Sequence, residues 1–217
     1  MDEILKLYNQ IEPDEPEMDE DAVIEPDNKS RAMKTRDRYI YRRFTSERTL
    51  ENILDWDFEK GTAYHVISAG DIDSLSFLKF VLRQQPLRYC ALSTWCMTLK
   101  DVEEIERFIE RKRIERLDSY VGEIFKGSYA LEYEKLTELH KRYGGRLAIF
   151  RNHAKIYVGF GSKFDFVIES SANINTNPRA ENTVITVDTE LAMFYKQYYD
   201  GIKSFERNFD DWTPFII

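Results

Sequence analysis

LAIFRNHAKIYVGFGSKFDFVIESSANINTNPRAENTVITV, residues 147–187, is the stretch that decides both the fold and the candidate site. Four runs within it are rich in β-branched and aromatic residues, a composition typical of strands: residues 147–150, 156–160, 164–168 and 183–187. The joints between these runs carry a small set of polar residues: His153, Lys155, Ser171, Asn173 and Glu181. The stretch therefore predicts strands whose ends present polar groups.

The first joint places an imidazole two residues before an ammonium. On an extended chain, His153 and Lys155 point to the same face, because side chains alternate with a period of two. That face then carries a nucleophile or general acid beside a group that holds an anion. Ser171 and Asn173 add hydrogen-bond donors, and Glu181 is a group that can orient an imidazole.

This order of residues resembles the phospholipase D superfamily, whose pattern is H-x-K-x4-D, then G-S-x-N, then a downstream acid. His153 and Lys155 match the first part, Ser171 and Asn173 the second, and Glu181 the acid. The sequence departs from the pattern twice. Phe160 stands where the family has Asp, and Ser170 stands where it has Gly. The motif resemblance spans about 40 residues, and over residues 60–146 only the architecture is similar.

The resemblance implies an enzyme that works without a metal ion or other cofactor. An imidazole attacks a phosphodiester to give a phosphohistidine, and a second imidazole protonates the leaving oxygen. Lys and Asn hold the non-bridging oxygens. The scheme needs two H-x-K sets, and His65 and His140 both lack the Lys. A symmetric homodimer in which each copy lends His153 to one site is therefore expected.

The rest of the chain alternates strand and helix patterns. This alternation predicts an α/β fold with a mixed central β-sheet and helices on both faces, phospholipase D-like in architecture. Further strands are expected at residues 64–69, 87–97 and 116–121. Helices are expected at residues 44–60 with Ser46 as cap, from Asp73 or Ser74 to Leu82, and at residues 98–113, 131–143 and 191–209.

Several side chains are assigned to core or surface by this pattern. Leu131, Leu136 and Leu139 are expected to face inward, as are five residues of the last helix: Leu191, Phe194, Tyr195, Tyr198 and Ile202. His140 is expected at the surface and His65 in the core or at its rim. Asp71 and Asp73 are read as turn and cap residues and not as metal ligands. Cys90 and Cys96 are expected to fill core, since they form no C-x-x-C pair.

Charge is distributed unevenly along the 217 residues, whose net charge is −8. Residues 1–28 hold eleven acids and one Lys, while residues 29–43 hold seven bases and one acid. Three segments follow: an acidic disordered tail at 1–28, a basic arm with a short helix at 29–60, and a catalytic domain at 61–217. The tail is either a solubilising segment or a mimic of nucleic-acid charge that covers a basic site. The arm is either a phosphate contact or a solvated face.

Other classes of protein are disfavoured by what the sequence lacks. No apolar run approaches the roughly 18–20 residues of a membrane span, and the N-terminus has no apolar signal region. A cytoplasmic protein without a membrane partner is expected. The first hypothesis is a homodimeric, metal-independent DNA endonuclease. The second is a catalytically weak or inactive nucleic-acid-binding or assembly protein of a phage or mobile element. A phospholipid hydrolase ranks third.

Overall fold

A computed structural model describes residues 38–54, 57–175 and 179–217. Its centre is a seven-stranded mixed sheet with the order β1-β7-β6-β5-β2-β3-β4. Neighbours β2, β3 and β4 are parallel, and the other pairs are antiparallel. The strands are β1 (Ala63–Ser68), β2 (Leu87–Thr94), β3 (Ile114–Gly122), β4 (Leu147–Phe150), β5 (Ile156–Gly161), β6 (Asp165–Ser170) and β7 (Glu181–Thr186).

Six helices within the described residues cover the two faces of this sheet. They are α1 (Arg38–Ile53), α2 (Ser74–Gln84), α3 (Leu99–Glu110), α4 (Phe125–Ser128), α5 (Ala130–Tyr143) and α6 (Thr189–Asp200). One face packs on α1 to α5 through a large apolar cluster that includes Leu78, Leu92 and Tyr157. The opposite face packs on α6 through a smaller cluster that includes Phe160 and Ala192. The predicted α/β fold with helices on both faces is confirmed.

The direction of the strands brings several strand ends to one edge of the sheet, here called the site edge. Parallel strands β2 and β3 end there at Thr94 and Gly122, and β6 ends there at Ser170. The antiparallel strands β5 and β7 begin there at Ile156 and Glu181. The joints that carry the polar groups of the sequence pattern therefore meet at a single edge, as the alternation of strand directions requires.

Helix α1 differs from the helix predicted at residues 44–60. It begins at Arg38 and ends at Ile53, so Ser46 lies in its middle and is not a cap. The Ser46 hydroxyl instead donates to the Asp71 carbonyl at 2.9 Å and accepts from the Asp73 N–H at 3.2 Å. Burial of this face explains the difference, because a buried Ser hydroxyl takes whichever backbone partners the packed loop offers.

Basic residues at the start of α1 serve the fold. Arg42 Nε contacts Asp73 Oδ1 at 2.9 Å, and buried Arg43 contacts Asp101 at 2.6 Å. Asp73 occupies the N-cap position of α2, as predicted, but its side chain makes no capping bond because the two arginines engage it. These two members of the predicted basic arm are therefore not available as phosphate contacts. Residues 1–28, and the arm up to residue 37, lie outside the described residues.

Helix α6 is shorter than the helix predicted at residues 191–209, because it ends at Asp200. The chain beyond it turns to the edge of β4, where the Phe205 N–H donates to the Ile149 carbonyl at 2.7 Å. The inward face also differs, since Phe194 and Tyr198 are 62% and 57% exposed. The buried positions of α6 are Ala192, Lys196 and Tyr199. Long side chains such as Lys bury their stems and misdirect a pattern based on hydropathy.

Three further side chains lie where the sequence pattern did not place them. His140 is buried, with Nε2 at 2.9 Å from the Ser119 hydroxyl. Leu131 is 66% exposed at the start of α5, whereas Leu136 and Leu139 are buried as predicted. His65 is exposed on β1. This strand is an edge strand of the sheet, and half of its residues are exposed.

The predicted state of the cysteines is confirmed, since Cys90 and Cys96 are both free thiols in the interior. Within the described ranges, no helix combines the length and the apolar character needed to cross a membrane.

Candidate active site

The loop between β4 and β5 is fixed to the sheet by a buried side chain, Asn152. Its Nδ2 atom lies 3.0–3.2 Å from three acceptors on neighbouring strands: the Ser93 hydroxyl, the Thr94 carbonyl and the Tyr120 carbonyl. Its Oδ1 atom accepts from the N–H of Ala154 at 3.0 Å. The loop that carries the H-x-K residues is therefore held by side-chain bonds on both sides of His153.

Lys155 and His153 form the centre of the site. The Lys155 ammonium lies 2.8 Å from His153 Nδ1 and donates to the His153 carbonyl, also at 2.8 Å. Lys155 is only 7% exposed, whereas His153 is exposed. The two side chains share a face, as the spacing predicts. The exposed imidazole thus presents a ring nitrogen to solvent, with the positive charge of the buried ammonium beside it.

Burial sets the electrostatics of Lys155. Loss of water around the ammonium lowers its pKa from the ordinary value, while the nearby Cys96 and Glu181 oppose that shift. A charged ammonium can only donate. While Lys155 is charged, Nδ1 of a neutral His153 must accept, and the ring proton then resides on Nε2. The lysine therefore fixes the tautomer of the histidine in this arrangement.

The segment after β6 closes the second side of the site. It is tied to the end of β2 by an isolated bridge between Met97 and Ile174 and by the Ile174 N–H, which donates to Thr94 Oγ1 at 3.2 Å. The Ser170 N–H donates to the Lys155 carbonyl at 2.9 Å. Asn173 is half-buried in this segment, and its Oδ1 atom is buried with no hydrogen-bond partner among the described residues.

Glu181 contacts Ser171 in this structure. The Ser171 hydroxyl donates to the Glu181 carboxylate and accepts from the Asn182 N–H at 3.1 Å. Glu181 is also close enough to Lys155 to influence its pKa. His153 Nδ1 faces Lys155, and the hydrogen bond expected between Glu181 and His153 stays a prediction. The five predicted site residues thus lie at one edge of the sheet, with Glu181 joined to the pair through charge.

Two residues of the site escaped the reading of the sequence. Trp95 follows β2 and its ring centroid lies 5.5 Å from that of His153, at an interplanar angle of 42°. Asn152 precedes His153 and anchors its loop. A tryptophan after a strand and an asparagine before a histidine are both common in loops, so one sequence offers no signal that singles them out.

Both departures from the family pattern have a structural context. Phe160 is fully buried against Tyr89, on the face that packs on α6. A carboxylate there would be enclosed by apolar side chains, at a high cost in desolvation. Ser170, which replaces the Gly, contacts the Thr183 hydroxyl at 2.8 Å and accepts from the Ala172 N–H at 3.1 Å. Both residues have become parts of the local packing.

No group of three or more His, Cys, Asp or Glu side chains is arranged to hold a metal ion in the part of the chain that the structure describes.

No known family model matches this chain, and no curated protein is similar to it in sequence. Solved structures are similar to it in fold. Polyphosphate kinase from Porphyromonas gingivalis aligns with a TM-score of 0.49 and 13% identity over 64% of this chain and 25% of the kinase. TrmBL2, an archaeal chromatin protein, gives 0.46 and 12% over 74% of this chain and 60% of its own.

NucT from Helicobacter pylori is also similar, with a TM-score of 0.45 and 14% identity over 64% of this chain and 94% of NucT. The chain spans a quarter of the kinase and 60% of TrmBL2. At these identities the likeness concerns the fold and transfers no activity to this chain.

Proposed function

We propose that this protein is a metal-independent phosphodiesterase of the phospholipase D type that cleaves DNA as a homodimer. The observation that carries the proposal is the contact of 2.8 Å between the buried Lys155 ammonium and the exposed His153 ring. A buried cation beside an exposed imidazole is the arrangement that a phosphodiester needs, because phosphate charge is held while a nitrogen lies next to the phosphorus.

The reaction starts when a phosphate enters the site. Its charge attracts the Lys155 ammonium from Nδ1 to a non-bridging oxygen, and Asn173 supplies a further donor. Nδ1 can then carry the ring proton, which leaves the lone pair on Nε2 for attack. A nitrogen–phosphorus bond forms as the bond from phosphorus to the leaving oxygen breaks. A second imidazole gives its proton to that oxygen and then takes one from the water that hydrolyses the phosphohistidine.

The second imidazole comes from a second copy of the chain. His140 cannot supply it, because it is buried against Ser119 and burial lowers its pKa to about 3. His65 lies on the edge strand β1. The site loop leads into β5, and β7 and β6 lie between these two strands in the sheet. Neither histidine is thus placed to serve His153. Two site edges that face each other across a two-fold axis give the site its pair of imidazoles.

The test is nicking of plasmid DNA in EDTA by the purified full chain. We expect cleavage by the wild type and none by His153→Ala. Mixed dimers of wild type and His153→Ala provide the sharper measurement, because each retains only one imidazole. We expect activity to follow the fraction of wild-type dimers alone. Activity retained by the mixed dimers contradicts a shared site, and a chain that stays monomeric at high concentration contradicts the proposal itself.

A second candidate function is DNA binding without turnover, by a nucleic-acid-binding or assembly protein. The burial of Phe160 at the position of the family's Asp favours it, because one acid of the pattern is absent. Salt-sensitive DNA binding with no cleavage in either EDTA or magnesium supports this candidate over the first.

A further inference from the structure

Trp95 forms a flat apolar wall beside the reactive imidazole. It lies directly after β2 at the site edge, is partly exposed, and approaches the His153 ring to 5.5 Å between centroids. The tilt of 42° between the rings means that the indole does not lie flat against the imidazole along its whole surface. Packing against His153 therefore does not account for the size and shape of the indole.

The indole is held in place by the neighbouring strand β3. A Cβ added to Gly122 would lie 2.6 Å from the Cδ1 atom of Trp95, so the absence of a side chain there gives the indole its space. The backbone on either side of Trp95 is fixed as well. Asn152 contacts the Thr94 carbonyl, and Thr94 Oγ1 donates to the Cys96 carbonyl at 2.8 Å. The wall is thus preorganised.

A planar, apolar surface next to a phosphate site fits one part of a nucleic acid, the base attached to the sugar beside that phosphate. Aromatic side chains stack on bases of any sequence, because every base has a π-face. In a duplex both faces of a base are already stacked on neighbours, so the indole can reach only an unpaired base. The alkyl chains of a phospholipid have no planar group at this distance from the phosphate.

We propose that Trp95 stacks on an unpaired nucleobase next to the phosphodiester held at His153 and Lys155, and that the substrate is single-stranded nucleic acid. This inference rests on the proposed phosphodiesterase function and adds the strandedness of its substrate. Trp95 contacts the substrate in this scheme, whereas Asn152 and Gly122 position the groups that do.

The test compares two fluorescein-labelled strands of equal length, measured in EDTA. One is a single-stranded oligodeoxynucleotide, and the other has every base removed by substitution with tetrahydrofuran units. Binding is followed by anisotropy and cleavage by gel for wild type, Trp95→Leu and Trp95→Phe. Phe194→Leu is the matched control, because Phe194 is an exposed aromatic residue on α6. For each protein, the affinity and the cleavage rate measured on the base-containing strand are divided by those measured on the abasic strand. This ratio does not depend on the folded fraction of the protein.

We expect Trp95→Leu to lower this ratio about tenfold, the effect of losing one base–aromatic stack. Trp95→Phe keeps a stacking ring and should retain most of the ratio, and Phe194→Leu should leave it unchanged. Wild type should also prefer the single strand to its duplex.

If Trp95→Leu loses affinity and cleavage rate equally on both strands, Trp95 acts only through His153, and the inference is overturned. An unchanged ratio in Trp95→Leu, or a preference for the duplex, also overturns it. Failure of the proposed function gives a different result. If wild type prefers the base-containing strand, if Trp95→Leu loses that preference, and if neither strand is ever cleaved, the nuclease is refuted and the stacking site is supported. Wild type that cleaves both strands equally keeps the nuclease and refutes the stacking site.

Discussion

Two buried cations in this molecule have opposite surroundings. Arg43, at the start of α1, is 5% exposed and faces two carboxylates, with Asp101 at 2.6 Å and Asp73 at 3.8 Å. Lys155, at the site edge, is 7% exposed and contacts an imidazole and a carbonyl, both neutral groups. Among the described residues, the Lys155 ammonium forms no ion pair, that is, no contact of 4.0 Å or less with a carboxylate oxygen.

The difference separates a structural charge from the charge that we propose holds the substrate phosphate. A buried charge that its neighbours neutralise joins helices, because removing either partner leaves the other one uncompensated. A buried charge that contacts no carboxylate is less compensated, so an entering anion gains more from its field. Burial alone therefore does not distinguish Arg43 from Lys155, whereas the charge of their contacts does.

The largest expected effect comes from removing the neutralised cation. Arg43→Met removes the arginine beside the buried Asp101 carboxylate and leaves Asp73 with Arg42, so we expect a loss of about 3–5 kcal/mol in the free energy of unfolding. Urea unfolding measures it, and Arg48→Met, on the exposed side of α1, is the matched control. A loss equal to that of the control would show that the three charges do not act together.

Removing Lys155 should lower activity and leave the fold intact. We expect Lys155→Met to lower the rate of DNA cleavage about 10²- to 10³-fold, the effect of losing one donor to developing negative charge. Its unfolding midpoint should stay close to that of wild type, since no carboxylate loses its partner. Lys163→Met, an exposed lysine between β5 and β6, is the control for general charge loss. Equal rates in the two variants would remove Lys155 from the mechanism.

His140, another buried base, sharpens the comparison because burial keeps its ring neutral. Its pKa falls from 6.5 to about 3 on folding, mainly because burial disfavours the charged ring. Between these values the unfolded chain binds more protons than the folded one, so stability is lost as pH falls from 6.5 towards 3. The slope from this residue is about 1.4 kcal/mol per pH unit. Urea unfolding at several pH values should show a shallower slope for His140→Gln, and an identical slope would contradict the assignment.

The smallest expected effect tests whether an anion uses the charge of Lys155. Inorganic phosphate at a concentration equal to its Kd should stabilise wild type by about 0.4 kcal/mol. The stabilisation should vanish as pH rises through the lowered pKa of Lys155, below the ordinary value of 10.5. Lys155→Arg should retain phosphate binding to higher pH, because a guanidinium stays charged. Thermal unfolding monitors both proteins, and loss at the same pH in both would assign the titration to another group.

Much of the fold could be predicted from sequence because it follows from local periodicity. The seven strands and the central helices lie close to their predicted positions, since β-branched runs and helical spacing are read over a few residues. The ends of α1 and α6 could not be predicted, because Ser46 and the chain after Asp200 take partners more than twenty residues away. His140 was misplaced for the same reason, as Ser119 lies 21 residues from it.

The sequence by itself determined that His153 and Lys155 share a face, because their spacing of two needs no distant partner. It also placed Ser171, Asn173 and Glu181 at strand ends. Only the tertiary structure decided that Lys155 is buried in contact with the His153 ring and carbonyl, that Arg43 is neutralised, and that Gly122 leaves space for Trp95. Burial and the charge of a neighbour depend on which strands lie side by side, and the order of strands in a sheet is not written in the spacing of residues along one of them.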